Sequence, residues 1–192
     1  MNKITDLQYM FDRCTNLINI DELKYLNTKY CNIFECMFRG CSSLSDIKVL
    51  EKWNVSNGNN FGHMFSKCSY LSNIKGLEKW NVSNGNNFEG MFSYCSSLSD
   101  IKWLEKWNVS NGNNFSFMFW GCLSLSDIKG LKKWNLSNGN NFEYMFKGSS
   151  SLSDIKGIKI NCSSCKCDIC QGYIKDKNIF SFPCAICSMQ TV

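Results

Sequence analysis

The residues with the clearest chemical potential are cysteines near the end of the chain. Two Cys-x-x-Cys pairs stand thirteen residues apart there. Two such pairs can place four thiolates around a Zn²⁺ ion in tetrahedral geometry. We therefore expect a structural zinc ion in this segment. A thiol-rich disordered tail, or disulfides formed on oxidation, would be the alternative interpretation. The expected ligands are Cys167, Cys170, Cys184 and Cys187, with Cys162 and Cys165 as alternates.

The stretch between the two pairs fits a small metal-binding module. Apolar pairs, Tyr173-Ile174 and Ile179-Phe180, flank a polar stretch at 175–178, which predicts a hairpin. Gly172 directly follows the first pair and permits a tight turn. The hairpin would bring the two pairs together.

The rest of the chain is a repeat. Six Met-Phe pairs recur at a spacing of 27 residues, and a small residue, a leucine and an isoleucine follow each pair at fixed distances. A fixed period in this range predicts a stacked array, in which each unit is stabilised by its neighbours. The first two copies have diverged from the later ones. The methionines are Met10, Met37, Met64, Met91, Met118 and Met145.

Within one unit the apolar spacing predicts a short amphipathic helix on one side of the array. Phe61, Met64, Phe65, Cys68 and Leu71 follow i, i+3, i+4, i+7 and i+10. Asn59 precedes them as the expected N-cap. In the cysteine slot we expect the thiol to serve as a small buried apolar group.

After this stretch the spacing changes to triplets. Leu71, Ile74, Leu77 and Trp80 are three residues apart, with Ser, Asn, Lys and Gly between them. This pattern predicts an extended segment that turns a corner. Stacked copies would align these segments into a narrow ribbon of parallel strands.

The repeat resembles the BspA-like branch of the leucine-rich repeats, and the match covers roughly residues 3–160. The resemblance rests on Trp-Asn-Val-Ser-Asn at 53–57 and Met-Phe-Ser-Lys-Cys-Ser-Tyr-Leu at 64–71. It implies a right-handed solenoid with helices on one side and a strand ribbon on the other. Many members of that branch are surface adhesins with export signals.

The tail is similar to part of a RING-type or zinc-ribbon finger, because Cys167-Asp168-Ile169-Cys170 looks like a RING opening pair. Residues 171–183 contain neither Cys nor His, so a standard second zinc site cannot be built.

For the whole chain, the expected fold is an α/β repeat solenoid of leucine-rich-repeat type over residues 1–160. A small Cys-rich module at 161–192 would follow it.

Charged residues also occupy repeated slots. Lysines recur at one position from Lys48 to Lys156, and aspartates stand two residues before most of them. Glutamates directly precede most lysines of a second column, which begins at Lys52. Interleaved charge of this kind favours solubility and argues against a nucleic-acid interface.

Positions that vary between copies are the best candidates for a binding surface, because packing does not dictate them. The fifth copy places large apolar residues in such slots, and one tryptophan lies just upstream. An exposed aromatic cluster of this kind is typical of partner-binding sites. Sequence drift with local packing is the competing interpretation. The four residues are Phe117, Trp120, Leu123 and Trp103.

The chain contains no recognisable catalytic set, and its single histidine, His63, has no companion ligands. We therefore expect a non-enzymatic scaffold that binds a protein partner, with a zinc-stabilised tail. The alternatives are a ubiquitin-ligase-like adaptor that uses the RING-like tail, or a surface adhesin of the BspA type.

The sequence shows no signal peptide and no membrane span, so we expect an intracellular protein. A surface or virion location stays open.

Overall fold

The computed structural model describes residues 3–152, which hold five short 3₁₀ helices and no α-helix. The expected tail module and the predicted boundary at residue 160 lie outside the described residues. No helix in the described part is long and apolar enough to cross a membrane. The 3₁₀ helices are Asp21–Tyr25, Lys48–Lys52, Lys75–Leu77, Lys102–Leu104 and Lys129–Leu131.

Successive units stack in parallel register, each residue lying beside its counterpart 27 positions away. A continuous column of parallel bridges runs along the stack, and each bridge involves single residues rather than extended strands. The sequence predicts the parallel ribbon in the triplet segments, where the described residues hold two isolated bridges, Asp46 with Asn73 and Asp100 with Asp127. The continuous column lies instead just before the Met-Phe turns. The column joins Asp6, Ile33, Asn60, Asn87, Asn114 and Asn141.

The predicted amphipathic helix is wrong. Residues 61–68 form consecutive turns, in which Met64 N–H donates to the Phe61 carbonyl (3.3 Å) and Cys68 N–H to the Phe65 carbonyl (3.1 Å). His63 and Lys67 stand at the third positions of these turns, with left-handed φ values of 54° and 63°. An α-helix cannot accommodate such residues, because left-handed conformers interrupt its hydrogen-bond pattern.

The neighbouring unit explains the choice of turns. Alternate backbone N–H groups donate to carbonyls of the next unit. The His63 N–H donates to the Glu89 carbonyl at 2.7 Å, and the Phe65 N–H donates to the Met91 carbonyl at 2.9 Å. These donors would otherwise have to bond within the helix. Asn59 likewise does not cap a helix; its side-chain amide donates to the Asn84 carbonyl (3.3 Å).

The triplet segment is also corrected. Instead of an extended corner, Lys75–Leu77 forms a 3₁₀ helix. A 3₁₀ helix has three residues per turn, so side chains at i and i+3 fall on one side. The triplet spacing of Ile74 and Leu77 is thus the period of this helix, and both side chains are buried.

The inward-facing set is as the sequence predicts. Phe61, Met64, Phe65, Cys68 and Leu71 are fully buried. Equivalent rings stack along the array, with centroids 5.6 Å apart for Phe61 and Phe88. Each such column continues through the described units, so the core is a set of parallel stacks rather than a single globular centre.

The tryptophan column adds a hydrogen bond to its stack. Trp80 and Trp107 lie parallel at 6.4 Å. The indole N–H of Trp107 donates to the Leu77 carbonyl of the preceding unit at 2.9 Å. A buried indole needs such a partner, and here it also fixes the register between units.

The cysteine slot has a role beyond filling space. The Cys68 thiol donates to the Phe38 carbonyl (3.2 Å) and the Cys95 thiol to the Phe65 carbonyl (3.1 Å). In the sixth copy Ser149 replaces cysteine, and its hydroxyl donates to the Phe119 carbonyl at 2.8 Å. The expectation of a merely apolar side chain is therefore incomplete, because the slot requires a small donor.

One slot controls how closely the 3₁₀ helices approach. A Cβ on Gly76 or Gly130 would lie 2.2 Å from a carbonyl oxygen of the preceding unit. On this side of the stack, parallel bridges form at the two junctions whose later unit carries glycine in this slot. They join Asp46 to Asn73 and Asp100 to Asp127.

The same slot holds Val49 and Trp103 in the second and fourth units. Within residues 3–152, no such bridge joins the first unit to the second or the third unit to the fourth. We infer that the larger side chains keep the backbones apart on this side of the stack.

Candidate functional site

The structure brings two of the four predicted surface residues together and adds two tyrosines. The Phe117 and Trp120 rings have centroids 5.3 Å apart. Tyr94 lies 4.6 Å from Trp120, and Tyr144 lies 5.4 Å from Phe117. We call these four residues the aromatic patch. It spans the fourth, fifth and sixth units.

Backbone conformation turns the patch side chains outward. Tyr94, Phe117 and Tyr144 all stand at left-handed positions, with φ of 59°, 57° and 52°. Met118 and Phe119 stand between Phe117 and Trp120 and are fully buried, so two core residues separate these two patch residues along the chain. Gly121 makes room for the patch, because a Cβ there would lie 2.8 Å from the Tyr94 ring.

The patch is accessible and lies beside a cation. Tyr94 is 40% exposed, and Phe117, Trp120 and Tyr144 are half-buried. The Lys147 ammonium group lies 4.2 Å from the centre of the Tyr144 ring, within the range of a cation–π interaction. The patch therefore combines apolar area with one positive charge at its edge.

The other two predicted residues are not part of these ring contacts. Trp103 lies in the 3₁₀ helix Lys102–Leu104, where the ammonium groups of Lys75 and Lys102 are 5.2 and 5.0 Å from its ring centre. Leu123 is 52% exposed but has no ring to contribute. Of the four predicted residues, Phe117 and Trp120 are the two whose rings are in contact with each other.

Sequence reasoning missed Tyr94 and Tyr144. Tyr144 occupies the Phe117 slot one unit later, and Tyr94 occupies the Gly121 slot one unit earlier. Residues 27 apart lie side by side in a stack. A search of each variable slot against the slots of both neighbouring units would have found them.

Among the described residues the two lysine columns form ion pairs with carboxylates, and two of these pairs connect neighbouring units. The Lys106 ammonium lies 2.9 Å from the Glu78 carboxylate and the Lys133 ammonium 2.7 Å from that of Glu105. The hydrogen bond from Lys106 lowers the pKa of Glu78 and raises that of Lys106. The predicted interleaving of charge is confirmed for these residues.

No metal centre is formed among residues 3–152, where no group of three His, Cys, Asp or Glu side chains is placed to hold an ion. The seven cysteines in that range are free thiols. The zinc ligands that the sequence predicts lie outside the described residues. They are Cys167, Cys170, Cys184 and Cys187, with the alternates Cys162 and Cys165.

The described residues define a tandem-repeat protein with units stacked in register and an aromatic patch on one side. The chain belongs to the DUF285 family, described as a Mycoplasma protein of unknown function, whose model matches residues 1–99 and 72–166. No curated protein matches the chain.

Among solved structures the chain is similar to a leucine-rich repeat protein from Bacteroides ovatus, at 13% sequence identity and a TM-score of 0.27. The match covers 82% of this chain and 52% of that protein, so this chain spans about half the length of the Bacteroides protein.

Proposed function

We propose that this chain is a non-enzymatic scaffold that binds a protein partner through the aromatic patch. In this proposal the six units form a solenoid of BspA-like, leucine-rich-repeat type, and the patch is its recognition surface. Membership of a repeat family supports the scaffold role, since stacked arrays offer extended surfaces for binding.

The observation that carries the proposal is the convergence of four aromatic residues on three adjacent units. In the Trp120 slot two earlier units have Ser66 and Ser93, so the repeat itself does not need an aromatic side chain there. Tryptophan and tyrosine are enriched among the residues that dominate protein–protein affinity. Their rings offer a large contact area at a small cost in conformational entropy.

Charge favours a protein over a nucleic acid as the partner. A nucleic-acid surface needs cations that are free to face phosphates. Here Lys102, Lys106, Lys129 and Lys133 each lie within 2.9 Å of a carboxylate oxygen. Such pairs reduce the positive potential available to a phosphate backbone.

The experiment is an affinity pull-down with the full chain and with Trp120→Ala. Truncating a dominant interface tryptophan costs at least about 2 kcal/mol, or roughly thirtyfold in affinity. Tyr70→Ala is the matched control, because Tyr70 is also an exposed aromatic residue (66%) but lies outside the patch. A partner retained equally by both variants would contradict the proposal.

We also propose that the tail binds a structural zinc ion through the two Cys-x-x-Cys pairs and shields the last unit of the array. The thiols of the described part are free, which suits a reducing compartment and supports an intracellular scaffold.

A further inference from the structure

Asn-Gly dipeptides recur in one slot of the repeat, and the stack requires both residues. A Cβ on Gly58 would overlap the ring of Phe61, so this position must stay glycine. The side-chain amide of Asn57 donates to the Lys29 carbonyl of the preceding unit at 2.7 Å. Three later units repeat both contacts. The dipeptides are Asn57-Gly58, Asn84-Gly85, Asn111-Gly112 and Asn138-Gly139.

Asn-Gly is also the dipeptide in which an asparagine side chain most readily loses its amide. The backbone nitrogen of the glycine attacks the side-chain carbonyl carbon, Cγ, because no Cβ hinders the approach. The new C–N bond closes a succinimide ring, and the side-chain nitrogen leaves as ammonia with the proton of the glycine N–H. Water then opens the ring to aspartate or isoaspartate. The reaction consumes water, releases ammonia and needs no oxidant or cofactor.

The stacked array restrains both reacting groups. The Gly58 N–H donates to the Val55 carbonyl at 2.8 Å, which closes a turn and engages the attacking nitrogen. The bond from the Asn57 amide to the preceding unit restrains rotation of Cγ toward that nitrogen. Asn57 is exposed, so water has access to it. Protection in the folded chain therefore depends on these hydrogen bonds and not on burial.

The product does not fit the slot in which it forms. Aspartate at position 57 replaces the donating amide by an acceptor oxygen, which would face the Lys29 carbonyl oxygen. Isoaspartate also lengthens the backbone between residues 57 and 58 by a carbon atom. Both products remove a hydrogen bond between units and oppose two acceptors in its place, which is unfavourable.

We propose that the Asn-Gly dipeptides are deamidation sites that react when a unit separates from the unit before it, and that a deamidated unit no longer restacks with its native stability. Repeat arrays open locally, because each unit is held mainly by its neighbours. Deamidation would therefore leave a covalent record of opening at the unit that opened.

The first test compares the folded full chain with the chain unfolded in urea, both at the same mildly alkaline pH. Peptide mass spectrometry measures the conversion of each asparagine. We expect conversion at the Asn-Gly dipeptides in urea, and conversion at least about a hundredfold slower in the folded chain. Asn54 and Asn59 are internal references, because valine and asparagine follow them. Equal rates in the two conditions, or no conversion in urea, would overturn the proposal.

The second test mimics the product with Asn84→Asp and compares it with Asn81→Asp in the same unit. Both variants add the same charge. Asn84 loses an amide that donates to the Ser56 carbonyl at 2.7 Å. The Asn81 side-chain oxygen accepts from the Ser83 N–H at 3.1 Å, and aspartate retains such an oxygen.

In urea unfolding we expect Asn84→Asp to raise the unfolding equilibrium constant roughly tenfold relative to Asn81→Asp. A chain that folds with Asn81→Asp but not with Asn84→Asp supports the proposal as well. Equal stability of the two variants would show that a deamidated unit restacks. The proposal is independent of the aromatic patch, since Trp120→Ala is expected to leave the deamidation rates of the folded chain unchanged.

Discussion

Replacing Gly76 by alanine tests whether close backbone approach fixes glycine in the 3₁₀ helix slot. The new Cβ would lie 2.2 Å from the Ile47 carbonyl oxygen, a distance that real Cβ atoms do not adopt. The atom it meets is backbone, so a side-chain rotation cannot relieve the contact. The second and third units must therefore separate locally by about 1 Å.

The expected cost follows from what this separation removes. Overpacking costs about 1–3 kcal/mol, and loss of the bridge between Asp46 and Asn73 adds about 0.5–1.5 kcal/mol. The lower entropy of the unfolded alanine variant offsets about 0.4–1 kcal/mol. We expect a net destabilisation of about 0.5–4 kcal/mol. For a chain of this size each kcal/mol lowers Tm by about 2–4 °C.

The assay is thermal and urea unfolding of Gly76→Ala beside Gly62→Ala. Gly62 is the matched control, because its slot holds glutamine, glutamate or serine in the other units and its nearest contact is a side-chain amide of Asn87. We expect the control to melt within a degree or two of wild type. If Gly76→Ala is as stable as Gly62→Ala, close approach does not explain the glycine.

Four further predictions concern other parts of the stack. Trp107→Phe should cost about 1–3 kcal/mol in urea unfolding, because it removes the hydrogen bond to the Leu77 carbonyl and leaves a small void; an unchanged midpoint would show that the bond contributes nothing. Burial raises the pKa of the Cys122 thiol to about 12, so maleimide at pH 8 should label it only in denaturant; labelling of the native protein would contradict its burial. The hydrogen bond from Arg39 lowers the pKa of Asp12, so this pair should contribute stability above pH ~4 that is lost as pH falls through the lowered pKa. Asp12→Asn should reduce that acid dependence, measured as Tm against pH; an identical slope would refute it. Chelation by EDTA should lower Tm if the tail holds zinc, and elemental analysis showing no zinc would remove the proposed ligands Cys167, Cys170, Cys184 and Cys187.

Part of the aromatic patch could be predicted from the sequence and part could not. Slots that vary between copies marked Phe117 and Trp120 as surface candidates, because packing constrains such slots least. The tyrosines were missed because their contacts cross from one unit to the next. A list of spacings within one unit does not contain those contacts, whereas the stacked register does.

Periodicity by itself determined that the chain stacks in units of 27 residues and that Phe61, Met64, Phe65, Cys68 and Leu71 face inward. These conclusions follow from the recurrence of apolar residues and do not depend on backbone conformation. An inward stripe at helical spacing is compatible with consecutive turns as well as with an α-helix, so the sequence could not choose between them.

Only the tertiary structure decided that choice. Alternate N–H groups, such as those of His63 and Phe65, bond to the next unit and are unavailable to a helix. The donor role of the cysteine slot and the close backbone approach at Gly76 have the same origin. Each depends on atoms of the neighbouring unit, which come within reach only when the units are stacked.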